Sequence, residues 1–220
     1  MARIDFRLCL ITDRHQTGGR ALAGLLHEAV SAGLGAVQLR EKDLPTRPFL
    51  FLAQEIRDIT KSTGTRLLVN GRLDVALAVG ADGVHLPSDG LPVDAARRVL
   101  GREMLLGVSA HSVQEAQSAE RGGADYVLLG PIFPTPSKEG YGPPLGAQTL
   151  ERAARTVKIP IFAVGGIMRE KVGEVLRAGA SGVAAISALL GAEDVAQAVR
   201  EMQEEIERQN QLMRGKAKSG

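Results

Sequence analysis

Short apolar runs alternate along the chain with segments of helical periodicity. Eight runs rich in Val, Ile and Leu are strand candidates: 8–12, 36–40, 67–70, 83–86, 105–109, 126–130, 161–165 and 182–187. They lack a polar alternation, which is typical of strands buried on both faces. Between them, segments such as 112–123 and 169–180 repeat apolar positions every three or four residues, as amphipathic helices do. Helical crossovers between buried strands predict parallel pairing.

A weak internal repeat marks the points where helices return to strands. The segments 32–37, 79–84, 122–127 and 178–183 each carry glycine just after a helix and before a strand. Glycine readily adopts the left-handed conformation that ends a helix. Eight such units in 220 residues predict a single α/β domain, a (β/α)8 TIM barrel of parallel strands, with an open doubly wound sheet as the alternative. We assign the barrel to residues 1–206 and expect the polar segment 207–220 to be a frayed C-terminal tail.

Composition and charge narrow the class of protein. The 27 basic and 25 acidic residues are mixed along most of the chain, so no basic stripe suggests a nucleic-acid partner. No apolar stretch approaches the roughly 20 residues needed to span a bilayer, and we expect no membrane partner. The only cysteine, Cys9, lies in an apolar run, which favours a buried thiol in a reducing cytoplasm. A small phosphorylated molecule is the expected partner, and a homodimer is compatible with the sequence.

The residues that follow the second predicted strand suit an anionic ligand. Active sites of TIM barrels lie at the carboxyl ends of the strands. Gln38 and Arg40 point the same way by strand alternation, and Lys42 lies just beyond. Two cations and an amide at one mouth favour anion binding. A structural salt bridge with Glu41 is the alternative.

The tips of strands six, seven and eight predict a phosphate site. The loop 130–142 is stiffened by prolines and carries Thr135, Ser137 and Lys138, which could hold a phosphate group at low entropic cost. The tips of strands seven and eight carry Gly165 and Gly166, then Ile186 and Ser187, where TIM barrels commonly bind phosphate.

The tip of strand five adds a histidine. His111 lies between Ser109 and Ser112, and an imidazole there could accept and return a proton. A structural histidine is the alternative.

Five motifs in this order resemble the thiamin phosphate synthase and TenI (thiazole tautomerase) superfamily. They are QLREK, GVSAHS, GPIFPTPSK, VGGI and GASGVAAIS, and the resemblance covers residues from about 7 to 200. It implies a TIM barrel whose thiazole phosphate is held by Thr135, Gly165, Gly166, Ile186 and Ser187. In the synthase branch the matching motifs hold a pyrimidine pyrophosphate through Gln38, Arg40, Lys42, Asn70, Ser109 and Lys138. We add Ser137, from the same loop, to this second set.

Two positions depart from the synthase pattern. The pattern after strand three is Asn-Asp, with the aspartate on Mg²⁺, whereas this chain has Asn70-Gly71. After strand four the pattern His-x-Gly-Gln-x-Asp ends on a second Mg²⁺ aspartate, whereas HLPSDG places Gly90 there. Mg²⁺ requires hard oxygen ligands, so we predict no metal site. Asp89 or Asp74 could substitute, which keeps the alternative open.

These departures lead to a ranked set of functions. The first is a metal-independent, TenI-like thiazole tautomerase, an isomerase with His111 as acid and base and no cofactor. The alternative is thiamin phosphate synthase, which condenses hydroxymethylpyrimidine pyrophosphate with thiazole phosphate and depends on Mg²⁺. A further alternative is a non-catalytic binder of thiazole phosphate or thiamin phosphate.

Overall fold

The computed structural model describes residues 4–135 and 142–218, with side chains described up to 215. Eight parallel strands form a closed barrel in chain order, each paired with its neighbours and the last paired with the first. The strands are β1 (Leu8–Ile11), β2 (Ala36–Leu39), β3 (Arg66–Asn70), β4 (Gly83–Leu86), β5 (Leu105–Ala110), β6 (Tyr126–Leu129), β7 (Ile161–Val164) and β8 (Gly182–Ala185). The predicted TIM barrel is confirmed, and the open sheet is excluded by the pairing of β1 with β8.

Helices follow the strands and cover the outside of the barrel. They are α1 (Leu22–Ser31), α2 (Thr46–Lys61), α3 (Leu73–Val79), α4 (Val93–Leu100), α5 (Val113–Arg121), α6 (Gly146–Thr156), α7 (Arg169–Arg177), α8 (Ser187–Leu190) and α9 (Val195–Lys218). A short 3-10 turn spans Arg14–Gln16 after β1.

The strands separate two hydrophobic cores. Alternate strand residues such as Leu8 and Leu10 pack outward with the helices, in the larger core. Their neighbours Cys9 and Ile11 join the smaller core inside the barrel, which also holds Tyr126, Phe162 and Phe6. Most strand residues are therefore buried and apolar on both faces, which explains why the strand sequences lack polar alternation. Cys9 is a buried thiol, as predicted, and its burial raises its pKa to about 12.

The C-terminal segment corrects one expectation. Residues 207–218 continue helix α9 instead of forming a frayed tail. Gln209 and Asn210 are buried, and Arg7 Nη1 donates to Asn210 Oδ1 over 2.8 Å. They follow Met202 and Ile206 at helical spacing on the packed face. Polar side chains occupy core-facing positions here, so counting apolar residues stopped the helix too early.

Candidate functional site

One cavity of about 990 Å³ lies at the carboxyl ends of the strands. Every predicted site residue in the described part of the chain lines it. These residues are Gln38, Arg40, Lys42, Asn70, Ser109, His111, Thr135, Gly165, Gly166, Ile186 and Ser187. Ser137 and Lys138 lie outside the described residues. Residues that are far apart in sequence meet here because parallel strands place all their carboxyl ends at one mouth.

The wall has two parts with different chemistry. We call the tips of β2, β3 and β5 the cationic half, formed by Gln38, Arg40, Lys42, Asn70 and Ser109. We call the tips of β6, β7 and β8 the glycine half, formed by Thr135, Gly165, Gly166, Ile186 and Ser187. The first half offers charged and amide side chains, whereas the second offers mainly backbone.

In the cationic half, some polar groups have hydrogen-bond partners within the described part of the protein and others do not. Gln38 is buried, and its Nε2 donates to no group among the described residues. A ligand acceptor at that nitrogen would offset the cost of a buried, unpaired donor. The backbone of Arg40 is held by Thr12, whose Oγ1 accepts from Arg40 N over 2.8 Å. The salt bridge considered for Glu41 forms with Arg14, at 3.1 Å.

An ion pair between Arg14 and Asp43, which we call the clamp, lies beside this half. Arg14 donates through Nη1 and Nη2 to the two carboxylate oxygens of Asp43, at 2.6 and 2.5 Å. These hydrogen bonds hold the pKa of Asp43 well below its usual range, and His15 Nε2 lies 3.2 Å from the same carboxylate. The clamp ties the β1–α1 loop to the β2–α2 loop. The sequence analysis did not assign the β1–α1 loop to the site, although this loop adds Asp13, His15 and Gln16 to the cavity wall.

His111 is held at the rim by the start of helix α5. Its backbone N donates to Glu115 Oε2 over 2.8 Å, and its Nδ1 lies 3.4 Å from the same oxygen. Ser112 caps the helix by accepting from Glu115 N over 3.1 Å. The Ser-x-x-Glu spacing is a capping signal, so the cap of α5 by Ser112 could have been predicted from the sequence, whereas the pairing of Glu115 with His111 could not.

The glycine half depends on residues without a side chain. Gly165 and Gly166 have φ of +90° and +66°, a region that favours glycine. A Cβ on Gly165 would lie 2.6 Å from Pro131 Cα, and one on Gly166 would lie 2.6 Å from the Pro134 carbonyl oxygen. The segment that follows β7 therefore lies directly against the β6–α6 loop. Ser187 opens α8, as predicted, although that helix is a single turn.

The described carboxylates do not fit a magnesium site of the kind the resemblance implies. Gly71 has φ of +72°, and a Cβ on Gly90 would lie 3.0 Å from the Pro87 carbonyl oxygen. Asp74 is paired with Arg72 at 2.6 Å and is absent from the cavity wall as described. Asp89 is exposed on that wall.

The remaining wall carboxylate is already engaged. Asp13 accepts hydrogen bonds at both oxygens, from His15 N and Gln16 Nε2. Over residues 4–135 and 142–218, no three His, Cys, Asp or Glu side chains form a group that could hold a metal ion. The donor set thus offers one exposed carboxylate where a pair would be needed.

The closed barrel of eight parallel strands and the cavity at the strand tips show that this is a TIM-barrel protein. The profile of the family described as Thiamine monophosphate synthase matches residues 8–189. The chain belongs to this family. No helix within the described ranges is long and apolar enough to cross a membrane.

Named relatives agree with the family assignment. Thiamine-phosphate synthase of Roseiflexus castenholzii is 46% identical over 191 residues, 87% of this chain and 84% of the relative. Thiamine-phosphate synthase of Chloroflexus aurantiacus is 45% identical over 199 residues, 90% of this chain and 92% of the relative. The solved structure of thiamine phosphate pyrophosphorylase from Pyrococcus furiosus superposes with a TM-score of 0.85 at 36% identity, covering 93% of this chain and 96% of that one.

These relatives correct the first-ranked function. A TenI-like tautomerase, an isomerase with His111 as acid and base, was the leading interpretation of the sequence. The relatives are named as synthases at 45 and 46% identity, so that interpretation is wrong and the alternative, a transferase, is favoured. The error came from treating two missing aspartates as decisive for the reaction.

Proposed function

We propose that the protein is a thiamin phosphate synthase, a transferase that joins hydroxymethylpyrimidine pyrophosphate to thiazole phosphate and releases pyrophosphate. The observation that supports the proposal is that one cavity is lined both by the cationic half and by the glycine half, each of which suits an anionic group. An isomerase acting on one phosphorylated molecule needs only the glycine half. A condensing enzyme needs both, at a separation that lets two substrates meet.

The cavity has the size for two ligands held side by side. Its volume of about 990 Å³ is at the upper end of the range for small-molecule pockets, roughly 300–1,000 Å³. We place the pyrimidine pyrophosphate against the cationic half, where Gln38 has an unpaired buried donor among the described groups. We place the thiazole phosphate against the glycine half, where Gly165, Gly166 and Ser187 line the cavity.

In the proposed reaction, the bond between the pyrimidine methylene carbon and the pyrophosphate oxygen breaks. The electron pair leaves with pyrophosphate, and the lone pair of the thiazole nitrogen forms the new carbon–nitrogen bond. Arg40 and Lys42 would offset the negative charge that develops on the leaving group. No proton has to move through His111 in this scheme, so that residue serves as part of the wall.

Magnesium dependence is expected of synthases by the resemblance, but the donor set of this chain does not fit two carboxylate ligands. The side chains of the cationic half, Arg40 and Lys42, therefore offset the charge of the leaving group.

An assay that measures both products tests the proposal. Purified protein is given both substrates over a range of Mg²⁺ concentrations, and thiamin phosphate and pyrophosphate are quantified together. We expect the two products in equal amounts and neither product when one substrate is omitted. Absence of thiamin phosphate at every Mg²⁺ concentration would overturn the proposal.

A further inference from the structure

A buried chain of polar groups runs from the middle of the barrel to the cavity wall. Tyr126 Oη lies 3.3 Å from His85 Nδ1, and His85 Nε2 lies 2.8 Å from Ser109 Oγ. Tyr126 and His85 are each about 1% exposed, whereas Ser109 lines the cavity. A ligand that contacts Ser109 therefore contacts the end of a three-residue chain.

The strand register brings these side chains together. His85 on β4 is the register partner of Gly107 on β5, and Gly107 is the partner of Tyr126 on β6. A Cβ on Gly107 would overlap Tyr126 Cζ and Oη, so glycine at this position lets the tyrosine cross β5 and reach His85. Ser109 follows two residues later on the same face of β5, nearer the mouth.

The two buried groups are both neutral. Burial, assisted by the positive charge of Arg40, lowers the pKa of His85 to about 3. Burial raises the pKa of Tyr126 well above its ordinary value. His85 thus carries one ring proton, and Tyr126 keeps its hydroxyl proton.

One arrangement of protons pairs both buried donors, the Tyr126 hydroxyl and the protonated ring nitrogen of His85. Among the described residues, His85 Nδ1 is the hydrogen-bond partner of the buried tyrosine hydroxyl. If Tyr126 donates to Nδ1, then Nε2 carries the ring proton and donates to Ser109 Oγ. The hydroxyl proton of Ser109 is then left for an acceptor in the cavity. The reverse arrangement would leave the Tyr126 proton buried without an acceptor, which is costly.

We propose that Tyr126 and His85 are positioning residues that fix Ser109 as a hydrogen-bond donor to the pyrimidine substrate. The chemistry selects a substrate atom that accepts a hydrogen bond, such as an unprotonated ring nitrogen. The ligand identity rests on the proposed function, whereas the tautomer of His85 can be measured without any ligand.

The first measurement is the tautomer of His85. Long-range proton–nitrogen correlation spectra of protein labelled with ¹⁵N-histidine distinguish a protonated Nε2 from a protonated Nδ1. The chain has four histidines, and the spectrum of His85→Gln assigns the resonance. We expect a protonated Nε2 in the wild type and a shift toward protonated Nδ1 in Tyr126→Phe.

The second measurement is a mutant cycle on substrate binding. Tyr126→Phe keeps the ring that packs against Phe6 and Phe162 but removes the hydroxyl. We expect a rise of about tenfold in the KM for the pyrimidine substrate, with kcat changed less than about twofold. Ser109→Ala should give a similar rise, and the double variant should give no further rise because Tyr126 acts through Ser109.

Cys9→Ala is the matched control. Cys9 lies in the same interior core as Tyr126, but its Sγ donates a hydrogen bond to the Leu10 carbonyl, and among the described residues no hydrogen bond joins it to Tyr126, His85 or Ser109. We expect its KM to stay at the wild-type value although its stability falls. A protonated Nδ1 in the wild type, additive effects in the cycle, or a Tyr126→Phe KM equal to that of Cys9→Ala would each overturn the inference. Absence of turnover with a protonated Nε2 would instead count against the proposed function alone.

Discussion

The two halves of the cavity wall are both suited to an anionic group, but they differ in the groups that they present. The cationic half presents side chains, of which Arg40 and Lys42 carry charge and Gln38 carries a buried donor. The glycine half lacks side chains at Gly165 and Gly166, which line the cavity and lie against the β6–α6 loop. Side-chain charge suits the larger charge of a pyrophosphate, whereas backbone groups hold a single phosphate at fixed positions. The difference shows that a single glycine or charged residue at this barrel mouth does not indicate the ligand, whereas the set of residues around it does.

The glycine half should be the more sensitive to added volume. Gly166→Ala combines a left-handed backbone with a Cβ 2.6 Å from the Pro134 carbonyl oxygen, and we expect a loss of about 3 kcal/mol in the free energy of unfolding. Urea denaturation measures this loss. Gly64→Ala is the control, because Gly64 has φ of +77° but nothing within 4 Å of its Cβ, and should lose only about 1 kcal/mol. Equal losses would show that packing against the loop is unimportant.

The cationic half should instead be sensitive to lost charge. Arg40→Ala should lower kcat/KM of the synthase reaction about a hundredfold, since a charged hydrogen-bonding group is removed from the leaving-group site. Steady-state kinetics with varied pyrimidine pyrophosphate measures the change. Arg47→Ala, on an exposed position of α2, is the control and should leave kcat/KM near the wild-type value. A loss below about threefold for Arg40→Ala would contradict the assignment of the two halves.

Acid should destabilise the folded protein through His85, which is buried beneath the cationic half. The pKa of His85 is about 3 in the folded protein against 6.5 for an ordinary histidine, so the unfolded chain binds more protons between these values. Stability is therefore present in full above pH 6.5 and is lost as the pH falls toward 3.

The expected size of this loss is about 2 kcal/mol between about pH 7 and about pH 5. Urea denaturation at the two pH values measures it, and His85→Gln, which cannot titrate, should lose much less. If both proteins show the same pH dependence, His85 is not the group responsible.

The smallest effect is expected at the exposed carboxylate. Asp89 lines the cavity but is exposed, and the donor set lacks a second carboxylate to complete a metal site. Asp89→Asn should therefore change kcat/KM by less than about threefold at any Mg²⁺ concentration. Titration of activity with Mg²⁺ in both proteins is the measurement. A Mg²⁺ requirement that rises more than about tenfold in the variant would show that Asp89 holds the metal after all.

Much of the fold could be predicted because local patterns were consistent. Apolar runs and helical periods place each strand within two residues of its observed bounds, as for β4 at 83–86. The tail was misjudged because Gln209 and Asn210 are buried polar residues, and a hydropathy pattern counts them as exposed. Their burial depends on contacts with residues far away in sequence, such as Arg7.

The strand tips of the site were predictable for a similar reason. A parallel barrel puts every carboxyl end at one mouth, so Gln38 and Ser187 could be assigned to one cavity from the order of strands. The clamp of Arg14 with Asp43 was not predictable, because two loops of ordinary polar composition give no signal of their pairing. The reaction was also misjudged, since two missing aspartates were weighed more heavily than the pyrophosphate-binding residues of the synthase branch, such as Gln38, Arg40 and Lys42, which this chain retains.

By itself, the sequence determined the eight strands with their helical crossovers and most of the groups at the mouth, because burial pattern and chain order suffice for those, whereas the pairing of β1 with β8 decided for the closed barrel. Only the tertiary structure decided which groups are paired and which are left for a ligand. His85 shows the reason: a lone histidine in an apolar strand is uninformative until the register places Gly107 beside it, Tyr126 behind it and Ser109 in front. Hydrogen bonds between strands depend on distances of a few tenths of an ångström, which packing sets and local sequence does not.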